Sequence, residues 1–310
     1  MEFKDQENYK ELGKLLLMGV VVGFLGYTFF GIFYIFFPML FMESSVKNGI
    51  LPTMGVMLGV SVIVGLIFNL LAGLSLFFVF APMILAFHYM VTSKKGYMPT
   101  LILMVVALTL SSVSLQLGLT PLGSVNIEEI SEELIQTQID EIDEDLTGLE
   151  ASRLEENLRF INEMSIKLIP GLFFIFILII VYLNYVMVGR RLLRQGILIN
   201  QPPIFSNLQL PRISILVFGI IIGVVLILQN SGMEIYEVIY LNSIMVFGLL
   251  FYVNGLALVS NLLGRVKMLN FIKTFIILAM VFFIPAGAVA LILGVLDTLV
   301  NFRKIRIKRE

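Results

Sequence analysis

The sequence lacks cysteine altogether and has one histidine among 310 residues. Disulfide bonds and thiolate metal sites are therefore excluded, and a single imidazole cannot form the cluster that zinc or iron needs. Charged residues are also scarce, at 14%, whereas hydrophobic residues make up 58%. Because soluble domains are about 45–50% apolar, this composition predicts a protein that is surrounded mostly by lipid.

Catalytic motifs are missing as well. The sequence contains no G-x-x-x-x-G-K-[ST], no H-E-x-x-H and no G-x-S-x-G, which argues against a phosphate-binding loop, a zinc hydrolase and a nucleophile elbow. We therefore predict that the protein is not an enzyme and has no catalytic residue, no cofactor and no metal. Its net charge of -1 gives no indication of nucleic-acid binding.

Long apolar blocks fill most of the chain and predict an all-α, polytopic transmembrane helical bundle. The first and last blocks each correspond to roughly 45–50 Å of helix, against a hydrocarbon core of about 30 Å. Gly31 and Pro38 in the first block, and Pro285-Ala286-Gly287 in the last, are places where a helix can break and turn. The eight blocks are residues 15–46, 50–68, 71–92, 97–118, 166–188, 212–229, 236–262 and 270–302.

The distribution of basic residues favours ten membrane segments over eight. Basic loops stay on the cytoplasmic side, whereas acidic residues have little effect on the side on which a loop lies. If both long blocks form hairpins, 18 of the 21 basic residues lie inside and both termini are cytoplasmic. An eight-segment chain exports either the basic residues at both termini or Lys94 and Lys95. We therefore predict about ten segments in a bacterial plasma membrane, four of them only about 14–17 residues long.

One long polar stretch, residues 127–163, separates the two apolar halves. It carries thirteen acidic residues against Arg153 and Arg159. Its apolar residues recur at steps of three or four, which predicts helix, and Thr147-Gly148 indicates a break between two helices. Its role is open between a solvated hairpin, which we favour, and a lid over an outward opening.

This stretch divides the chain into three predicted parts. Residues 1–119 form an N-terminal transmembrane bundle, and residues 166–310 form a second bundle with a basic cytoplasmic tail. Residues 120–165 form an acidic, amphipathic, extracytoplasmic loop. Acidic helices bind anionic lipid poorly, so the apolar stripe of the loop is expected to pack on a bundle or on itself.

Polar side chains inside apolar blocks cost several kcal/mol when unpaired, so the ones that occur are candidate sites. The candidates are Asn254, Asn261 and Asp297. Asn254 and Asn261 are seven residues apart and share a helix face, so their amides either line a cavity or hydrogen-bond between helices. A structural clamp is favoured for Asp297 over a proton or cation site. Its expected partners are Arg265, Lys267 and Lys273.

The single histidine, His88, lies near the end of its apolar block. At that depth a side chain anchored at the membrane interface is favoured over a proton relay. A functional His88 is the less favoured alternative.

Small residues four apart let membrane helices approach closely. Three glycine pairs have this spacing: Gly19 and Gly23, Gly55 and Gly59, and Gly219 and Gly223. We predict that they mark packing seams within the chain. Contact with other membrane subunits is the alternative.

The closing residues carry a more distinctive pattern. Gly294-Val-Leu-Asp297-Thr-Leu-Val-Asn301-Phe-Arg303 resembles the G-x-x-D-x-x-x-[DN]-[FY]-R pattern of the YybS-like bacterial membrane proteins, a family of unknown molecular function. The resemblance runs along nearly the whole chain, although Leu299 stands where that family usually has an aromatic residue.

The N-terminal half of that family is distantly similar to the substrate-binding membrane subunits of energy-coupling-factor transporters. This similarity implies that Gly19 and Gly23, on the first helix, contact a coupling subunit. The residues that hold substrate in those transporters are not recognisable here, so the small-molecule ligand is unknown.

Two functions from different classes are consistent with the sequence. The favoured one is a membrane-embedded subunit that binds or helps to transport a small molecule. The alternative is a non-transporting scaffold or regulator of other cell-envelope proteins. In both cases the lipid bilayer is the main partner.

Overall fold

A computed structural model of the protein describes residues 2–29, 31–119, 132–133, 136–137 and 148–303. The described residues form α-helices and two 3-10 turns, at Ile32–Ile35 and Phe205–Asn207, without any strand. The helices are α1 (Glu2–Thr28), α2 (Phe37–Asn48), α3 (Ile50–Ile67), α4 (Leu70–Thr92), α5 (Tyr97–Leu119), α6 (Gly148–Arg194), α7 (Ile213–Asn230), α8 (Ile235–Arg265), α9 (Asn270–Phe282) and α10 (Ile284–Val300).

Seven helices of the described chain are long and apolar enough to cross a membrane: α1, α3, α4, α5, α6, α7 and α8. The consecutive helices α9 and α10 pass the same test only together, and they are bent by 97° at their junction. Among the described residues, seven helices therefore meet this criterion, or eight with the bent pair, compared with the ten membrane segments predicted. The other three helices, α2, α9 and α10, are shorter, with 12, 13 and 17 residues.

The breaks inside the two long blocks lie where the sequence predicts them. After α1, Gly31 adopts φ 73°, a left-handed conformation that glycine tolerates without strain. The chain then forms a 3-10 turn and begins α2, with Pro38 in its first turn. In the last block α9 ends before Phe283, and Pro285 lies in the first turn of α10, where its missing N–H costs nothing.

The acidic stretch is described only in part. Glu132, Glu133, Gln136 and Thr137 are helical, and the rest of residues 127–147 lies outside the described residues. The break predicted at Thr147-Gly148 includes Thr147, which lies outside the described residues. Helix α6 spans Gly148–Arg194 without interruption. The polar residues after Gly148 are therefore the first turns of the same helix that forms the next apolar block.

The chain forms two compact units. The first comprises residues 1–124 and 176–202, and contains α1 to α5 with the last part of α6. Its core is rich in phenylalanine and methionine, including the fully buried Phe41, Met57 and Phe87. The ring of Phe87 meets Tyr185 of α6 edge to face at 5.9 Å, a favoured aromatic geometry.

Helices α1 and α3 run parallel in this unit. A β-carbon placed on Gly19 would lie 2.8 Å from Val60, and one placed on Gly23 would lie 2.9 Å from Val64. Both contacts advance by four residues in the same direction. The beginnings of α1 and α3 therefore lie at the same end of the unit.

The second unit comprises residues 125–175 and 203–310. Helix α8 is at its centre and packs against α10, α7 and α9. Contacts between α8 and α10 pair Gly248 with Leu291, Phe251 with Gly294 and Asn254 with Asp297. The two helices therefore also run parallel, so the end of α10 lies beside the last turns of α8.

Helices α9 and α10 form a bent pair. Asn270 begins α9 only five residues after α8 ends at Arg265, and α10 returns to that same end because it is parallel to α8. The hydroxyl of Tyr252, in the middle of α8, donates to the carbonyl of Met280 near the end of α9 at 3.1 Å. The pair thus enters the unit as far as Tyr252 and then turns back.

Candidate functional site

Asp297 and Arg303 form a fully buried ion pair at the end of α10. Arg303 Nη2 lies 2.6 Å from Asp297 Oδ2, and both side chains are 0% exposed. Asn301 ends the helix in the left-handed conformation, with φ 55°, which asparagine adopts more readily than most residues. This turn lets the backbone N–H of Phe302 donate to Asp297 Oδ1 at 3.0 Å and folds Arg303 back onto the helix.

The guanidinium of Arg303 donates five hydrogen bonds. Nε donates to Asp297 Oδ2 at 3.1 Å, and Nη2 donates to the same atom and to Asn254 Oδ1 at 2.7 Å. Nη1 donates to the carbonyls of Ser206 at 3.0 Å and Leu208 at 2.6 Å. A guanidinium has five N–H donors, so every donor is used. We call these acceptors (Ser206 O, Leu208 O, Asn254 Oδ1 and Asp297 Oδ2) the oxygen cage.

Asn254 connects the oxygen cage to α10. Its Nδ2 donates to the carbonyl of Gly294 and to the hydroxyl of Thr298, both at 3.0 Å, while its Oδ1 also accepts from the backbone N–H of Leu210 at 3.3 Å. The side chain is 2% exposed. The amide therefore satisfies groups from three parts of the unit at once.

The structure brings together two of the three predicted polar candidates. Asn254 and Asp297 share the oxygen cage, whereas Asn261 lies two turns further along α8. There its Nδ2 donates to Asn207 Oδ1 at 3.0 Å. Asn261 thus fixes the segment that supplies the cage carbonyls of Ser206 and Leu208 without contributing an atom to the cage.

The expected cationic partners of Asp297 are wrong. Arg265 and Lys267 are exposed at the end of α8, and the ion pair that forms uses Arg303. A helix that continued beyond Asn301 would carry Arg303 away from Asp297. The left-handed Asn301 ends the helix and brings Arg303 beside Asp297 instead.

Helices α8 and α10 approach so closely that only glycine fits at the crossing. A β-carbon on Gly255 would lie 1.7 Å from the carbonyl oxygen of Ala290, and one on Gly294 would lie 1.8 Å from that of Phe251. Sequence reasoning missed this seam because the two glycines lie on different helices. The spacing test detects only glycines four apart on one helix.

The predicted glycine pairs lie in different surroundings. Gly19 and Gly23 face α3 within the chain, so the resemblance to transporter subunits, which assigns this face to a partner, does not fit the packing. Gly59 touches only Leu16, at 3.9 Å. The remaining three have no atom of the described chain within 4 Å where a β-carbon would stand: Gly55, Gly219 and Gly223.

A second polar contact lies beside Pro170, within α6. Asn242 of α8 places its amide beside the helix backbone, where Oδ1 accepts from Gly171 N at 2.6 Å and Nδ2 donates to Lys167 O at 2.7 Å. Those two backbone groups would bond each other in a regular helix. The side chain therefore hydrogen-bonds two backbone groups next to a proline, and Pro170 within an apolar block is the signal that sequence reasoning overlooked.

Charged groups lie one turn before this insertion. Lys167 Nζ is 2.6 Å from Glu163 on α6 and 2.7 Å from Glu237 in the first turn of α8. The Glu237 contact joins α6 to α8 beside the Asn242 contact. Two polar links thus hold the beginning of α8 against α6.

A widely open cavity of about 550 Å³ lies near these links, between α6, α8 and α10. Its lining is apolar apart from the hydroxyl of Tyr252, which already donates to Met280. Part of the wall is the start of α10, just after the bend. The lining residues are Leu172, Ile175, Met245, Gly248, Leu249, Tyr252, Ile284, Gly287, Ala288 and Leu291.

The first unit has a polar cluster at one end. Glu43 of α2 pairs with Lys47 at 3.0 Å, accepts from Gln195 at 2.8 Å and lies 3.4 Å from Arg191. Burial acts to raise the pKa of Glu43, but the hydrogen bonds from Gln195 and the two cations outweigh it, so this pKa lies below its ordinary value. The carboxylate is therefore charged at neutral pH and holds α2 to the end of α6.

His88 is half-buried on α4. Its Nδ1 is enclosed, without a hydrogen-bond partner among the described residues. None of the polar clusters above includes it. The described residues as a whole hold no group of three His, Cys, Asp or Glu side chains arranged to bind a metal ion.

The family model described as a predicted membrane protein (DUF2232) matches residues 15–298. The matched region includes Asn254, Asp297 and the cavity, and it ends before Arg303. No curated protein and no solved structure matches the chain.

Proposed function

We propose, from the premise that the chain belongs to the DUF2232 family of predicted membrane proteins, that it is a membrane-embedded subunit that binds an apolar small molecule. The ligand class to which we commit is the hydrocarbon chain of a lipid. Transport of that molecule is the activity such a subunit would serve, in a bacterial plasma membrane.

The cavity in the second unit carries this proposal. Its volume of about 550 Å³ falls within the range of about 300–1,000 Å³ that is typical of small-molecule pockets. The lining offers no charged group and no free donor, because the Tyr252 hydroxyl is engaged. A polar ligand would lose its hydration without compensation there, whereas a hydrocarbon chain loses nothing.

The helix break beside the cavity supports a binding role. Helices α9 and α10 break at Phe283, and Asn242 hydrogen-bonds the backbone of α6 beside Pro170. Irregular backbone at membrane depth is tolerated where protein buries it or a cavity adjoins it, and in transporters such breaks accompany binding sites.

Photo-crosslinking tests the proposal. The full chain is placed in nanodiscs with a phospholipid that carries a diazirine in one acyl chain, and crosslinked peptides are mapped. We expect crosslinks on residues 245–252 and 284–291. Gly248→Leu fills the cavity, since a β-carbon there has only Leu291 within 4 Å, and it should remove these crosslinks selectively.

Gly219→Leu is the matched control, because a β-carbon at Gly219 would have no atom of the described chain within 4 Å. It adds the same side chain outside the cavity and should leave the crosslinks on residues 245–252 unchanged. Equal labelling of these residues in both variants would contradict lipid binding in the cavity.

A scaffold function is the second candidate, and α7 is the observation that favours it. Val225 is the only residue of this helix that the described part of the chain buries. A β-carbon on Gly219 or Gly223 would have no atom of that part within 4 Å. A membrane partner packed on this face would be lost from the Gly219→Leu variant during purification, while the cavity crosslinks persist.

A further inference from the structure

We infer that the oxygen cage is a preformed guanidinium-binding site that the protein fills with its own Arg303, and that the site accepts a free guanidinium cation when this side chain is removed. Guanidinium binding in the oxygen cage does not depend on lipid binding in the apolar cavity.

The acceptors of the cage are held in place by contacts that do not involve Arg303. Asn254 is fixed by Gly294 and Thr298 of α10 and by the N–H of Leu210. Asp297 lies on α10, and its Oδ1 accepts from Phe302 N. These groups would keep their positions without the guanidinium.

The two cage carbonyls are also supported independently. Ser206 belongs to the 3-10 turn Phe205–Asn207, and the N–H of Leu208 donates to Phe205 O at 3.0 Å. Asn207 is tied to α8 by Asn261. Four oxygens from three chain segments therefore surround the guanidinium, and each segment has hydrogen bonds that do not involve Arg303. This is the arrangement expected of a preorganised site.

The arrangement selects guanidinium over other cations. It accepts five hydrogen bonds from a planar group, and an ammonium has only three donors on a point charge. The single carboxylate, Asp297, balances one positive charge. A divalent cation in the same place would keep an unbalanced charge in a fully buried position, which is strongly unfavourable.

Chemical rescue tests the inference. Arg303→Ala in the full chain should lower the Tm of the detergent-purified protein. Guanidinium or ethylguanidinium, at concentrations that do not raise the Tm of the wild type, should restore part of the loss. The restored part should grow with concentration, as binding to the folded state requires. Guanidinium destabilises proteins without such a site, so the expected shift has the opposite sign to the general effect.

The controls separate shape, charge and location. Urea has a similar planar shape without the charge, tetramethylammonium has the charge without the donors, and neither should rescue. Arg265→Ala removes an exposed arginine from the end of α8 and should not respond to guanidinium. Arg303→Ala combined with Asp297→Asn should lose the rescue.

A second variant tests the inference if the first one does not fold. If Arg303→Ala does not accumulate, Arg303→Gln is heated in unextracted membranes with and without guanidinium, and the soluble fraction after extraction is compared. Rescue by urea or tetramethylammonium equal to that by guanidinium, or no rescue in either variant, would overturn the inference.

Discussion

Asp297 Oδ2 accepts hydrogen bonds from both Nε and Nη2 of Arg303, at 3.1 and 2.6 Å, inside a fully buried cluster. The two residues are six positions apart and meet because Asn301 turns the chain back. Through Ser206, Leu208 and Asn254, the pair also contacts the segment before α7 and the second half of α8. The closing pattern of the sequence thus forms one structural unit with distant parts of the chain.

The left-handed turn gives the first prediction. Asn301→Ala should lower stability by about 1–2 kcal/mol, the typical cost of this conformation for a residue with a β-carbon, although alanine is the better helix former. Asn301→Gly should lose less, because glycine adopts φ 55° freely. Thermal unfolding of both variants provides the comparison. A glycine variant less stable than the alanine variant would mean that side-chain contacts of Asn301 outweigh the turn.

The crossing of α8 and α10 gives the second prediction. Gly294→Ala should cost about 1–3 kcal/mol or more, since the added carbon would lie 1.8 Å from the carbonyl of Phe251 and backbone cannot yield easily. Gly219→Ala is the control and should be neutral or slightly stabilising, because alanine favours helix. Tm values of the purified variants test the contrast, and equal values would show that the helices do not cross there.

The opening of α6 gives the third prediction. Asn242→Leu removes the amide that serves Gly171 N and Lys167 O, and should cost about 1–3 kcal/mol through the unsatisfied backbone groups. In a Pro170→Ala background the helix can close its own bond, so the cost of Asn242→Leu should fall. Urea or thermal unfolding of the four proteins measures the coupling. An equal cost in both backgrounds would show that Pro170 does not hold the helix open.

Membrane orientation gives the fourth prediction. Because the chain has no cysteine, single cysteines can be labelled without background. Ser93→Cys and Lys267→Cys should be protected from an impermeant reagent in intact cells, since basic loops stay inside. Thr147→Cys and Ser231→Cys should be labelled. Positions 231 and 267 lie at opposite ends of α8. If the reagent labels both of them, α8 does not cross the membrane.

Packing of the first helix gives the fifth prediction. Gly19→Leu should lower the Tm, because a β-carbon there already lies 2.8 Å from Val60 and 3.0 Å from Phe41. Gly55→Leu should change little, since its surroundings are open. A stable Gly19→Leu variant would place α1 away from α3.

The helical class, most helix limits and the positions of the breaks follow from composition and from glycine and proline placement. Asn254 and Asp297 are also identifiable in advance, because polar groups in apolar blocks need partners. The number of full spans does not follow in the same way. The charge of a loop indicates on which side of the membrane it lies. It does not distinguish a helix that crosses the membrane from the short α2 or the bent pair α9 and α10.

The partners within the oxygen cage depend on tertiary geometry. Nothing in the local sequence shows that Asn301 adopts a left-handed conformation, and a continuous helix points Arg303 elsewhere. Gly255 and Gly294 show their role only when α8 and α10 are seen to cross. Asn242 lies in an apolar block as Asn254 does, yet its function is visible only beside Pro170 of another helix.

A double-mutant cycle on Asp297 and Arg303 tests most directly whether the two residues act as one buried pair. Asp297→Asn and Arg303→Gln should each cost about 3–5 kcal/mol, because each leaves an uncompensated buried charge. The double variant should cost little more than either single one. The exposed pair Glu155 and Arg159 is the control, with an expected coupling below about 1 kcal/mol. If the costs of Asp297→Asn and Arg303→Gln simply add, the pair does not hold this part of the protein together.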